Sequence, residues 1–236
     1  MKQIHFESID STNTYIKNNY NKLDNETFVS SVVQTQGRGR NNRKWNSDGS
    51  NLLFSLLLKN EKYFSLINSI SIISAYSILK VLQDYKINNL SIKWPNDVYA
   101  DGKKICGILL ETVTLEKIEC LIIGVGLNVN QIKFDDEYIH EPTSMKSILD
   151  HDVNLDDLKS KIYQRLMNDL SNVLSGKDYY SKIKELDYLK DKNVYALINN
   201  EKKQVLVKGI NKDYTLCVEC ENKEFNLNSG EISFHI

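Results

Sequence analysis

The sequence predicts an α+β fold in two unequal parts. Three observations carry that prediction. Apolar runs stand at 28–33, 52–58, 103–111 and 117–123, the first of them rich in β-branched residues. Stretches with helical apolar spacing lie among and after them, at 65–84 and 154–175. Beyond residue 188 the pattern shifts to short strands divided by turns, which predicts a small barrel of about 45 residues. The expected division is therefore a larger domain over 1–188 and a C-terminal domain over 189–236.

In order along the chain, residues 2–8 alternate as a first strand. Asp10 or Ser11 caps a helix over roughly 12–20, its side-chain oxygen accepting from an orphan backbone N–H. Residues 28–33 form a buried strand that runs into Gln34 and a polar loop. Residues 52–58 form the next strand, and 65–84 a helix packed on the sheet. Residues 90–99 run into a turn at Pro95-Asn96-Asp97 and out again. Asp101-Gly102 signals a hairpin into the strand 103–111. Gly107 interrupts that apolar strand, as a glycine does where a ligand or another backbone comes close. The strand 117–123 leads to Gly124-x-Gly126-x-Asn128, and 131–143 reads as loop. Thr143 or Ser144 caps a short helix through Leu149. Helices follow at 154–175 and 177–188, with Gly176 between them. Short strands then stand near 194–198, 204–207, 216–218 and 225–227.

Composition limits the function. With 236 residues the chain can bury a sizeable core. Its formal net charge is −1, so nothing points to bulk polyanion binding. The cysteines at 106, 120, 217 and 220 include one Cys-x-x-Cys in a strand-like run. With no second pair to complete a zinc site, they read as reduced thiols of a cytoplasmic protein. The N-terminus has no signal-peptide core, and no apolar run approaches the ~20 residues of a membrane span.

Against that neutral background, Gly37-Arg38-Gly39-Arg40-Asn41-Asn42-Arg43-Lys44-Trp45 stands out. It combines glycines, four cations and one large aromatic face between two buried strands. Glycine lets a backbone approach a ligand, arginine forks fit carboxylate and phosphate, and tryptophan offers a stacking surface. The parts suit a loop that closes over an anion carrying a ring, such as a nucleotide. A charge run alone more often marks a solvated face. Further along, Lys93, Asp97 and Lys104 fall where they could share one side of the sheet. Trp94 alternates with Lys93 and is expected in the core. Gly124-x-Gly126 opens no helix, so it is no dinucleotide fingerprint, and no P-loop occurs.

Taken together, these segments resemble the biotin–protein ligases. The resemblance rests on Gly37-Arg38-Gly39-Arg40-x-x-Arg43-Lys44-Trp45, Lys93-Trp94-Pro95-Asn96-Asp97, Lys104-x-x-Gly107-Ile108-Leu109-x-Glu111 and Gly124-x-Gly126-x-Asn128, with Ser11-Thr12-Asn13 and Gln34 before them. Gly230-Glu231-Ile232-Ser233 resembles the end of that family's C-terminal barrel. The resemblance implies a mixed β-sheet flanked by helices, like class II synthetases, plus an SH3-like barrel. It implies activation of biotin by Mg2+-ATP to biotinyl-5′-AMP, then transfer to a lysine on the biotin carrier domain of acetyl-CoA carboxylase or a related carboxylase. By the same resemblance, Lys104, Arg40 and Asp97 are catalytic. Biotin contacts fall to Ser11, Thr12, Asn13, Gln34, Gly37, Arg38, Gly39, Arg40, Lys104 and Gly107. Contacts to ATP or the adenylate fall to Arg40, Arg43, Trp45, Lys93, Asn96 and Asn128. No residue is assigned as a metal ligand. Repressor members of the family carry an N-terminal winged helix-turn-helix, and the ligase motifs here start at once, so no DNA-binding role is expected. A dimer through the sheet edge stays open.

Two rivals make different demands. A lipoate ligase or octanoyl transferase of related fold is disfavoured by the Gly-Arg-Gly-Arg loop and the Lys-Trp-Pro-Asn-Asp run. A nucleic-acid-binding module would call for a basic domain, which the net charge of −1 does not supply.

Overall fold

The computed structural model describes residues 2–134, 140–198 and 201–228. The strands are β1 (Gln3–Ile9), β2 (Phe28–Gln34), β3 (Leu52–Leu58), β4 (Leu90–Lys93), β5 (Asp97–Ala100), β6 (Lys103–Thr114), β7 (Ile118–Leu127), β8 (Asn193–Ile198), β9 (Glu201–Ile210), β10 (Leu216–Cys220) and β11 (Lys223–Leu227). The helices are α1 (Thr12–Asn19), α2 (Ile70–Asp84), α3 (Met145–Leu149), α4 (Leu155–Leu174) and α5 (Tyr180–Ile183).

The first seven strands make one mixed sheet in the order β1-β2-β3-β7-β6-β5-β4. β1 runs parallel to β2, and the other neighbours are antiparallel. The two faces of this sheet differ sharply in side-chain size. Phe54, Ile108, Ile123 and Val125 join the main core with α2 and α4. The opposite face of β6 and β7 carries Gly107 paired with Gly126, and Leu109 paired with Gly124. Ser55 of β3 lies beside Gly124 on that face. Strand alternation thus turns one face into a core and leaves a shallow floor on the other. A smaller core of Ile16, Val29, Leu57, Cys120 and Ile122 packs α1 against one end of the floor.

Helix boundaries differ from the sequence expectation at two places. α2 starts at Ile70 rather than 65, because Ile67 and Ser69 make tighter i→i−3 bonds to Phe64 and Leu66. The helix expected at 177–188 shrinks to α5 and a single 3₁₀ turn at Lys184–Leu186. There Tyr188 N–H bonds Ile92 O at 2.9 Å, so the chain leaves the helix to join the edge strand β4. α4 ends as expected, with Gly176 at φ +83.

β8–β11 form a four-stranded antiparallel sheet in the order β11-β10-β9-β8, consistent with the expected small barrel. The closing segment Gly230–Ser233 lies outside the described residues. Trp94 ties the two sheets together. It is buried in the core as expected, and its Nε1 donates to Tyr214 O at 2.8 Å.

Candidate active site

The floor of the site is the glycine-bearing face of β6 and β7. Side chains at Gly107 and Gly126 would collide with the Trp45 ring, and one at Gly124 with Asn13. These glycines let an indole and an amide lie flat on the sheet. Above them, the cavity has a volume of about 630 Å³ and opens between the start of α1, loop 37–45 and β4–β6. That volume suits a ligand of nucleotide or cofactor size.

Loop 37–45 is closed by its own backbone. Trp45 N–H bonds Gly37 O at 2.9 Å, and Gly39 N–H bonds Arg43 O at 2.7 Å. A side chain at Gly37 would meet the Trp45 carbonyl. Asn41 and Asn42 take φ +55 and +56 at the tip, a region that asparagine tolerates far better than branched residues. The loop is therefore a small hairpin laid across the cavity. Arg43 and Lys44 are exposed on it.

At one end of the cavity, polar residues form a continuous chain, buried at its centre and half-buried at Gln34 and Glu111. Ser11 caps α1, its hydroxyl accepting from Thr14 N–H. Gln34 Oε1 accepts from Thr12 N–H at 2.8 Å. The Thr12 and Ser55 hydroxyls lie 2.7 Å apart, and Ser55 donates to Asn13 Oδ1 at 2.5 Å. Asn13 Nδ2 donates to Glu111 Oε2 at 2.7 Å.

At the other end, charge collects. Lys104 Nζ lies 2.8 Å from Asp97 Oδ2 and 5.5 Å from the Trp45 ring centroid. Arg40 Nη1 donates to Asn96 Oδ1 at 3.4 Å, while Asn96 Nδ2 bonds Ile108 O. Burial pushes the Arg40 guanidinium down, Asp97 raises it, and Arg43 lowers it again. Lys93 is buried on the same side as Asp97, its paired residue across β4 and β5. Its Nζ lies 3.0 Å from His140 Nε2 and 3.4 Å from the Tyr99 hydroxyl. Lys93 is lowered to about 8, by burial above all, with Asp97 raising it and Lys104, Lys192 and Arg43 adding to the fall. Burial also lowers His140 to about 4, with Lys93 and Lys104 as further causes. His140 is thus neutral at pH 7 and accepts from the Lys93 ammonium. A compact field of cations beside one carboxylate is suited to binding anions and stabilising charge that develops on them.

The structure brings Ser11, Thr12, Asn13, Gln34, Arg40, Trp45, Lys93, Asn96, Asp97, Lys104, Gly107 and Asn128 to one cavity. Arg38 and Asn128, which also line the cavity, are engaged within the protein as well. Arg38 Nη2 bonds Glu111 at 3.0 and 3.3 Å, so its charge is committed to a carboxylate. Asn128 donates its amide to Thr143 O. Ser55 and His140 were not among the sequence candidates, and Glu111 closed one of the quoted motifs without being given a role. Ser55 is the one polar residue in the run 52–58, and Glu111 alternates with Gly107 and Leu109. Both signals were present in the strands.

Comparison with known proteins shows the family and the fold. A model of the biotin/lipoate A/B protein ligase family matches residues 5–128, more than half of the chain. The chain belongs to that family. Within it, the bifunctional ligase/repressor BirA of Escherichia coli K12 is 26% identical over 233 residues, covering 95% of this chain and 71% of the relative. Biotin–protein ligase 2 of Arabidopsis thaliana is 32% identical over 127 residues, covering 52% of this chain and 39% of the relative. The biotin protein ligase of Aquifex aeolicus, solved in complex with biotin and ATP, superposes with a TM-score of 0.88. It is 28% identical, covering 99% of this chain and 98% of that one. The fold is that of the biotin protein ligases.

Proposed function

We propose that the chain is an ATP-dependent biotin–protein ligase that forms biotinyl-5′-AMP and passes biotin to a lysine of a carboxylase carrier domain. The observation that carries this reading is one cavity with two unlike ends: a hydrogen-bonding chain from Gln34 to Glu111, and the cluster Lys93, Lys104 and Arg40. The first end suits a neutral polar ring system, and the second suits a carboxylate meeting a phosphate. The polar pocket falls to Ser11, Thr12, Asn13 and Gln34, and the adenylate side to Arg40, Arg43, Trp45, Lys93, Asn96 and Asn128. The expected division into 1–188 and 189–236 is retained, with the first part carrying every residue named for the chemistry.

The chemistry follows from the placement. Two anions must come together, and the ammonium of Lys104 with the guanidinium of Arg40 offsets their repulsion. A biotin carboxylate oxygen forms a bond to the α-phosphorus while the bond to pyrophosphate breaks. The acceptor lysine nitrogen then bonds the acyl carbon as the bond to AMP breaks, and the nitrogen gives up a proton. Asp97 is set to orient that amine: its Oδ1 is buried without a hydrogen-bond partner among the described residues. ATP enters with Mg2+, which neutralises phosphate charge. Among the described residues no group of three His, Cys, Asp or Glu side chains could hold a metal. Four free cysteines suit a reducing, cytoplasmic setting.

The test is incubation with biotin, Mg2+-ATP and a carrier domain, read by mass shift and avidin capture. The expected result is one biotin per carrier, lost in Lys104→Ala together with biotin-dependent ATP–pyrophosphate exchange, by ~10²–10³-fold or more. Attachment of lipoate in place of biotin would overturn the substrate assignment.

A further inference from the structure

We propose that Glu111 is a positioning residue that sets the hydrogen-bond polarity of the head-group pocket and, with the same carboxylate, holds loop 37–45 closed. This rests on the reading of the cavity as a biotin site. Glu111 ends the polar chain without itself lining the cavity. It stands on the floor strand β6 and joins two other elements: Asn13 of α1 at 2.7 Å and Arg38 of the loop at 3.0 Å.

The polarity argument follows from counting protons. A carboxylate is acceptor-only. Asn13 must therefore turn its NH2 toward Glu111, which turns Oδ1 toward Ser55. Ser55 is fully buried and Asn13 nearly so, so Oδ1 needs a donor, and Ser55 has one proton to give. With that proton committed, the Thr12 proton has two possible acceptors, Ser55 Oγ at 2.7 Å and Gln34 Oε1 at 3.1 Å, and the shorter contact takes it, since the two hydroxyls need a proton between them. Gln34 Oε1 is then held by Thr12 N–H, which leaves its Nε2 on the Gly37 side of the pocket. One carboxylate thus fixes the order Thr12 to Ser55 to Asn13 to Glu111. A ligand ring sees fixed donors and acceptors rather than a set of amides and hydroxyls free to flip. The second consequence is coupling. The salt bridge to Arg38 ties that order to the loop that covers the adenylate side.

Glu111→Gln breaks both functions, because an amide can present either N or O to Asn13 and carries no charge for Arg38. Asn13→Asp sets two carboxylates face to face. The double variant Asn13→Asp/Glu111→Gln restores the order. The amide introduced on β6 then donates to the carboxylate introduced on α1, whose second oxygen still accepts from Ser55. It does not restore the charge opposite Arg38.

The experiment measures biotin Kd by calorimetry, exchange kinetics, and release of biotinyl-AMP from the parent and the three variants, with melting curves for each. Glu111→Gln is expected to raise the biotin KM by ~10–100-fold, well beyond any fall in kcat. The double variant is expected to bind biotin at least ~10-fold more tightly than Asn13→Asp, yet to release biotinyl-AMP faster than the parent. A residue that only supports the fold would lower all signals together and show no rescue. A parental biotin KM in Glu111→Gln, or a double variant that binds no better than Asn13→Asp, overturns the proposal. If Glu111→Gln does not fold, the comparison of the double variant with Asn13→Asp decides. A parent chain that does not bind biotin overturns the functional reading itself, whereas normal parental binding with an unaffected Glu111→Gln removes only this inference.

Discussion

Lys104 and Asp97 form an ion pair at 2.8 Å in which only one carboxylate oxygen is used. The other, Asp97 Oδ1, is buried and has no hydrogen-bond partner among the described residues. Leaving a buried acceptor unsatisfied is costly unless something arrives to satisfy it. Lys104 thus aligns the carboxylate of a residue that lines the cavity and leaves its second oxygen unsatisfied. Asp97→Asn keeps the shape and removes the charge that would draw in the acceptor amine. It should slow biotin transfer from preformed biotinyl-AMP by ~10²-fold or more while slowing adenylate formation much less. Single-turnover transfer beside pyrophosphate exchange separates the two. Equal losses in both would assign Asp97 to activation instead.

Arg40 is held over the cavity by Asn96, which is itself fixed to the sheet through Ile108 O. The guanidinium is partly desolvated already, so an adenylate phosphate is a better partner than water. Arg40→Ala should release biotinyl-AMP at least ~10-fold faster, and Asn96→Ala should move in the same direction by less. Rapid dilution with a carrier trap measures the release. Parental retention in Arg40→Ala would show that the loop does not act as a lid.

How far these groups could be read from the sequence depends on the range of the interaction. Loop 37–45 was legible because its residue types carry their own chemistry. The shared face of Lys93 and Asp97 followed from strand alternation and a short turn. Arg38 was not legible in the same way. Its partner Glu111 is 73 residues away, and no periodicity relates the two. His140 comes from a loop with no repeat to place it, yet it sets the surroundings of Lys93. The expected helix near 177–188 mixes good helix formers with Asp, Tyr and Ser, and the bond from Tyr188 to Ile92 draws its end into the sheet. Local signals thus located the cavity, and pairings between distant segments decided which cations remain for the substrates.

Lys93 gives the site a basic limit. Its ammonium is charged below about 8 and neutral above, because burial lowers it more than Asp97 raises it. His140, Tyr99, Asp97, Lys104, Lys192 and Arg43 are the groups around it. Anion binding to free enzyme should therefore weaken as pH rises through about 8. The expected result is a falling limb there in kcat/KM for ATP in the exchange reaction. Lys93→Arg should move that limb upward by ~2 pH units or more, since a guanidinium stays charged. A flat profile to about pH 10 in the parent would remove Lys93 from nucleotide binding.

Asp187 makes the opposite kind of statement, about stability. It lies where the chain leaves α5 to join β4. Its Oδ1 accepts from Leu189 N–H at 2.9 Å, and its Oδ2 is buried with no partner among the described residues. Burial raises the carboxyl from 3.8 to about 6, against the backbone N–H groups of Leu189 and Lys190 and the charges of Lys190 and Lys192. The folded form therefore holds its proton more tightly than the unfolded form. Between pH 3.8 and about 6 the folded state binds more protons, so this group's contribution to stability falls as pH rises. The cost is absent below that window and complete above it. Asp187→Asn retains the acceptor for Leu189 and never ionises. It should stabilise the chain by about 1–2 kcal/mol at pH 7, with the gain disappearing near pH 4. Urea midpoints of parent and variant across that range measure it, and a pH-independent difference would mean that Asp187 acts through packing rather than charge.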